Sequence, residues 1–134
     1  MRIPPTATRA YLAISLSNRS HLSEELDLLH SVLKEKHIEL FIFVDHYHFK
    51  KEEEKEMMQA AFREIERSDI LIAELSKKAM GVGVEAGFAF AKGIPIIYLR
   101  NEESEHSTTV SGSSNAQIIY KDPTDLGQQF KELF

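Results

Sequence analysis

Residues 68–99 read SDILIAELSKKAMGVGVEAGFAFAKGIPIIYL, and their reading decides the fold. Two short apolar runs, 70–73 (ILIA) and 94–99 (IPIIYL), flank an Ala- and Gly-rich segment, 82–92. The runs have strand length, and Gly93 is placed to stop the segment between them as a helix. A strand that is apolar at every position is buried on both faces, as in a parallel sheet covered by helices. A helix rich in Ala and Gly is made to lie close against such a sheet.

The same rhythm extends outward in both directions. Residues 11–16 (YLAISL) and 38–44 (IELFIFV) predict two further strands, and 116–120 a fifth. Leu22, Leu26, Leu29 and Leu33 recur at helical spacing and predict a helix over 20–36, capped by Asn18 or Ser20. A charged helix is predicted over 51–67, with Met58, Phe62 and Ile65 inward, and a closing helix over 125–134. Five strand–helix units point to an α/β fold. It is a flavodoxin-like, doubly wound five-stranded parallel sheet in three layers, of order 2-1-3-4-5. Right-handed crossovers bring every strand's C-terminal end to one edge, where ligands bind. The residues that follow the strands, 15–19, 45–48, 74–85 and 100–114, are therefore the ones to examine. Residues 1–134 read as a single domain, with residues 1–8 a loose tail because Pro4 and Pro5 interrupt regular structure. Residues 104–114, rich in Ser and Thr, read as a loop.

Composition narrows the function classes. Lys and Arg number 16 against 21 Asp and Glu, a net charge of −5, so no basic surface for a nucleic-acid backbone is expected. There are no cysteines, which excludes disulfides, thiolate metal sites and a cysteine nucleophile, and fits a cytoplasmic protein. The apolar runs are too short to span a membrane, and the N-terminal MRIPPTATRA is not a signal peptide. No cofactor is expected.

The pattern Gly81-Val82-Gly83-Val84-Glu85-Ala86-Gly87 is the densest in chemistry. Gly81 and Gly83 allow a tight turn and a close backbone approach where a helix begins. Glu85, placed in that helix's first turn, is expected to be held ionised by its positive end: a good nucleophile and a poor acid. Glu74, at the end of the third strand, is expected either to face the same cleft or to be a solvated or capping carboxylate. His46 and His48 alternate in 45–48 (DHYH). They read as a surface loop, as a proton donor at His46, or as a pair of metal ligands lacking a third.

Taken in order, the strand ending Ala73-Glu74, the Gly-Val-Gly-x-Glu-x-Gly run and the Gly93-Ile94-Pro95-Ile96 step resemble the nucleoside 2-deoxyribosyltransferase family. They are most similar to its 2'-deoxynucleoside 5'-monophosphate N-glycosidase branch. Tyr11-x-x-x-Ser15 agrees with the family's first strand. The resemblance implies that Glu85 is the nucleophile at the anomeric carbon and that Tyr11 orients it. It implies that Ser15, Gly83 and Ser107 contact a 5'-phosphate, with the Ser107 loop often lent to a neighbouring subunit in a homodimer or higher oligomer. The partner is then a small nucleotide or nucleoside. The chain departs from the family at four positions. Ala61 stands where an aspartate serves the departing base, Ala79 where a second serine is usual, and Val84 where an aromatic often precedes the nucleophile. Ser17 stands where an arginine is expected, with Arg19 near enough to replace it. Two further readings share the topology. One is a nucleotide-binding module without catalysis. The other is a phosphoacceptor receiver, which the non-acidic 15–18 segment argues against.

Overall fold

The computed structural model describes residues 1–134. Five strands form one sheet: β1 (Arg9–Ala13), β2 (Glu39–Ile42), β3 (Ile70–Glu74), β4 (Ile96–Asn101) and β5 (Ala116–Tyr120). All pairings are parallel and the order is β2-β1-β3-β4-β5, as the strand–helix rhythm predicts. The helices are α1 (Leu16–Arg19), α2 (Ser23–Glu35), α3 (Phe43–His46), α4 (Glu54–Glu66), α5 (Met80–Ala91), α6 (Thr108–Ser113) and α7 (Pro123–Lys131). On one face of the sheet Leu12, Ile72 and Tyr120 pack with Leu29 and Leu33 of α2 and Phe130 of α7. On the other, Tyr11, Leu71 and Tyr98 pack with Ile65 of α4 and with Ala86 and Ala89 of α5. Each face buries its own apolar layer, which is why β3 has no exposed residue.

The differences from the sequence expectation lie at element ends. β1 begins two residues early, at Arg9. Its guanidinium lies 4.2 Å from the Phe41 ring centroid and 3.6 Å from Glu64, which lets a charged residue enter a buried strand. β2 stops at Ile42, and Phe43 and Val44 turn into α3, where their half-buried side chains pack on the rim of the core and line a cavity at the sheet edge. β4 starts at Ile96 because Pro95 has no N–H for the ladder, although its carbonyl accepts from Leu71 at 2.9 Å. Neither Asn18 nor Ser20 caps the long helix. The chain leaves β1 through the single turn α1 and the 3₁₀ turn Ser20–Leu22, and α2 starts at Ser23. The expected loop at 104–114 contains α6, whose N-cap Ser107 accepts from the Val110 amide at 3.4 Å. The N-terminal segment is not loose: Ile3 and Ala7 are buried, and the Ile3 amide donates to the Leu133 carbonyl at 2.6 Å. No helix is long and apolar enough to cross a membrane.

Candidate active site

At the C-terminal edge of the sheet a cavity of about 250 Å³ opens between β1, α4 and the start of α5. Ser15, Phe43, Met58, Ala61, Gly81 and Glu85 are among its walls. Tyr11 is buried in mid-β1 and points toward α5, where its hydroxyl donates a hydrogen bond to Glu85 Oε2. Burial pushes the Glu85 carboxyl up to about 7, and the Tyr11 bond opposes this only in part. Burial, and then the neighbouring Glu85 charge, push the Tyr11 hydroxyl far above its usual range. Tyr11 therefore keeps its proton and acts as a donor.

This corrects the expectation for Glu85. Helix α5 starts at Met80, so Glu85 is in its second turn, beyond the reach of the first-turn dipole. Desolvation decides its state, and near neutral pH the carboxyl is poised between acid and carboxylate. Gly81 and Gly83 likewise lie inside the helix and not in a turn before it, and neither has a positive φ. The Gly83 amide donates to the Ala79 carbonyl at 3.4 Å, the first bond of the helix ladder. The amides left without helical partners are those of Met80, Gly81 and Val82.

Ser15 caps α1 through its backbone while its side chain makes no cap bond. Its hydroxyl lies 3.5 Å from that of Ser17, which accepts from Lys77 Nζ at 2.9 Å. Arg19 is not brought to this cluster. Its guanidinium is paired in a two-pronged contact with Asp45 at 2.9 and 3.0 Å. His46 is exposed and stacks on Phe41, with centroids 4.7 Å apart, so it does not line the cavity. His48 instead faces an adjoining space of about 200 Å³, walled by Leu16, Phe43, Val44, Tyr47, Phe49 and Met57. No group of three His, Cys, Asp or Glu is placed to hold a metal ion. Ser107 lines a separate cavity of about 620 Å³ together with Met80, Gly83 and Val84. That larger space lies beside the Tyr11–Glu85 pair and not over it, and Ala79 is the one residue lining both.

Glu74 faces away from the site. Residues alternate across the sheet, so Glu74 follows Ile70 and Ile72 to the α2–α7 side, while Tyr11 is on the α4–α5 side. It is buried, and Tyr120 donates to it at 2.8 Å while the Ser76 amide bonds its other oxygen. Burial raises its pKa against the pull of those bonds. Reading the sequence missed three features: Lys77, His48 as a wall residue, and the Phe43–Tyr47–Phe49 aromatic array. A lysine shortly after a strand end was a signal for the first. The other two depend on how α3 turns off the sheet edge.

Comparisons with known proteins bear on the fold and the family. A structure of a CMP N-glycosidase from Clostridium botulinum superposes with a TM-score of 0.68 at 23% identity, over 94% of this chain and 99% of that one. A conserved protein from Enterococcus faecalis gives 0.72 at 20% identity, over 96% and 100%. A 2-deoxyribosyltransferase from Bacillus psychrosaccharolyticus gives 0.66 at 17%, over 89% and 90%. Among curated proteins no sequence matches significantly. The family model described as nucleoside 2-deoxyribosyltransferase matches residues 10–125. That match runs from within β1 into α7 and takes in every strand of the sheet: the chain belongs to the nucleoside 2-deoxyribosyltransferase family.

Proposed function

We propose that this chain cleaves, or transfers the sugar across, the N-glycosidic bond of a (deoxy)nucleoside 5'-monophosphate, with Glu85 as nucleophile. The observation that carries this reading is the Tyr11–Glu85 hydrogen bond at the wall of a cavity that Ser15 also lines. A Glu85 oxygen attacks the anomeric carbon, the carbon–nitrogen bond breaks, and its electron pair leaves with the base. Tyr11 holds the carboxylate in line and retains its own proton. The glycosyl ester is then opened by water, or by a second base in the transfer reaction. The phosphate is held by the Ser15 and Ser17 hydroxyls, the Lys77 ammonium and the open amides at the start of α5. Exposed Met80 and Val84 border the cavity that contains Ser107, which favours a second copy of the chain closing that side in a homodimer. A reducing compartment such as the cytoplasm suits a chain without cysteine.

A panel of deoxynucleoside and ribonucleoside monophosphates, with the matching nucleosides, tests the proposal by release of free base. Turnover of none of them replaces it with a nucleotide-binding module on the same fold. Ala61 favours that second reading, since a buried methyl group stands where the family resemblance places an aspartate.

Lys77→Ala tests the phosphate subsite separately. Loss of one charge-assisted contact is expected to raise KM for a monophosphate about tenfold or more, and to leave the nucleoside KM unchanged. Equal effects on both substrates would place the phosphate elsewhere.

A further inference from the structure

We propose that His48 is the proton donor to the departing base, in a leaving-group slot formed by the α3 turn. The inference rests on the glycosidase reading and adds the residue that completes it. The Glu85 cavity and the smaller space beside it share Leu16, Phe43, Val44 and Met57, so they form one continuous slot. Four residues along this slot carry a transferable proton: Ser15, Tyr47, His48 and Glu85. Glu85 is the nucleophile, and the Ser15 hydroxyl is far too weak an acid. The Tyr47 hydroxyl is committed to Glu64 at 3.3 Å, and Glu64 is itself buried and paired with Arg9 and Arg67. The imidazole remains, and it is the side chain most often used for general acid and base work.

The residues on either side of it are anchored. Tyr47 stacks on Phe43 with centroids 4.8 Å apart and on Phe49 at 5.7 Å, so His48 stands between two residues anchored in one aromatic array. These rings and Met57 offer a flat base stacking surfaces without hydrogen-bond partners. His48 is exposed at the mouth, where solvent can return a proton to it.

The step balances within the slot. As a Glu85 oxygen bonds to the anomeric carbon, the carbon–nitrogen pair passes to the base. The His48 imidazolium gives that base a proton, so it leaves neutral. Water then bonds to the anomeric carbon, the bond from that carbon to the Glu85 oxygen breaks, the water's proton passes to the neutral imidazole, and Glu85 departs as carboxylate. Both groups return to their starting states.

The test pairs two substrates: deoxyguanosine 5'-monophosphate and its 7-methyl derivative, whose base already carries a positive charge and departs without protonation. His48→Asn is expected to lose about 100-fold in kcat on the first and less than about threefold on the second. Added imidazole is expected to restore part of the lost rate in His48→Ala. Equal losses on both substrates, or no loss on either, overturn the assignment and leave Glu85 chemistry intact. Parent enzyme that turns over neither substrate nor any other nucleotide overturns the glycosidase reading itself.

Discussion

Glu85→Gln is expected to reduce base release at least ~10³-fold while nucleotide binding stays within a few fold of the parent. The amide has the shape of the carboxylate, and its oxygen still accepts from Tyr11, so the cavity is preserved. It cannot form a glycosyl ester, so the first chemical step is lost, a barrier increase of about 4 kcal/mol. Tyr11→Phe removes an orienting bond and no reacting atom, so its loss is expected to be smaller than that of Glu85→Gln. Single-turnover rates together with equilibrium binding of a monophosphate check both variants. Glu85→Gln turnover within tenfold of the parent would show that a different residue attacks the sugar.

The acid limb of the kcat/KM profile is expected to fall tenfold per pH unit below about 7, the value to which burial raises Glu85. At pH 5 the attacking carboxylate is then about 100-fold scarcer than at its fully ionised limit above pH 7, and the rate falls with it, because a protonated carboxyl does not attack. A flat profile down to pH 5 would mean that the nucleophile titrates far lower. The same shift sets a stability effect, and its sign follows from proton counting. Between the ordinary 4.5 and about 7, the native chain holds a proton that the unfolded chain has released. Stability therefore falls as pH rises through that window, by about 3 kcal/mol in total. Glu85→Gln removes this dependence. The variant is expected to melt above the parent at pH 8, with the gap closing toward pH 4.5, and equal Tm differences at both pH values would contradict it.

The continuous apolar runs made the sheet legible, because a strand buried on both faces leaves an unmistakable pattern. The positions of Ser15 and Glu85 toward the C-terminal edge followed from that topology, and the pairing of Tyr11 with Glu85 from the family resemblance. Three things did not follow. Glu74 sits at the correct edge, yet whether its side chain points up or down depends on a register of single residues, and β3 carries no polar alternation to reveal it. The state of Glu85 did not follow, because desolvation outweighs nearness to a helix start. The helix begins at Met80, which pushes the carboxylate one turn further in. The choice of His48 over His46 turns on Phe43 and Val44, which looked like strand and are instead the first half of α3. An apolar run does not say where the core ends and a cavity lining begins.

Gly81 and Gly83 have negative φ, and no atom lies within 4 Å of where a Cβ would stand on either one. The chain's own packing would accept alanine at both positions, and alanine would strengthen α5 by about 0.8–1 kcal/mol per site. The protein forgoes that gain on the helix that carries Glu85. Gly81 opens on the cavity of Ser15 and Glu85, and Gly83 on that of Ser107, so a methyl group at either would stand in a cavity and not in the core. Thermostabilising substitutions chosen from the unliganded fold would select these two glycines early. On the proposed function they would yield a sturdier protein with a narrower site, a trade of activity for rigidity built into the start of a single helix.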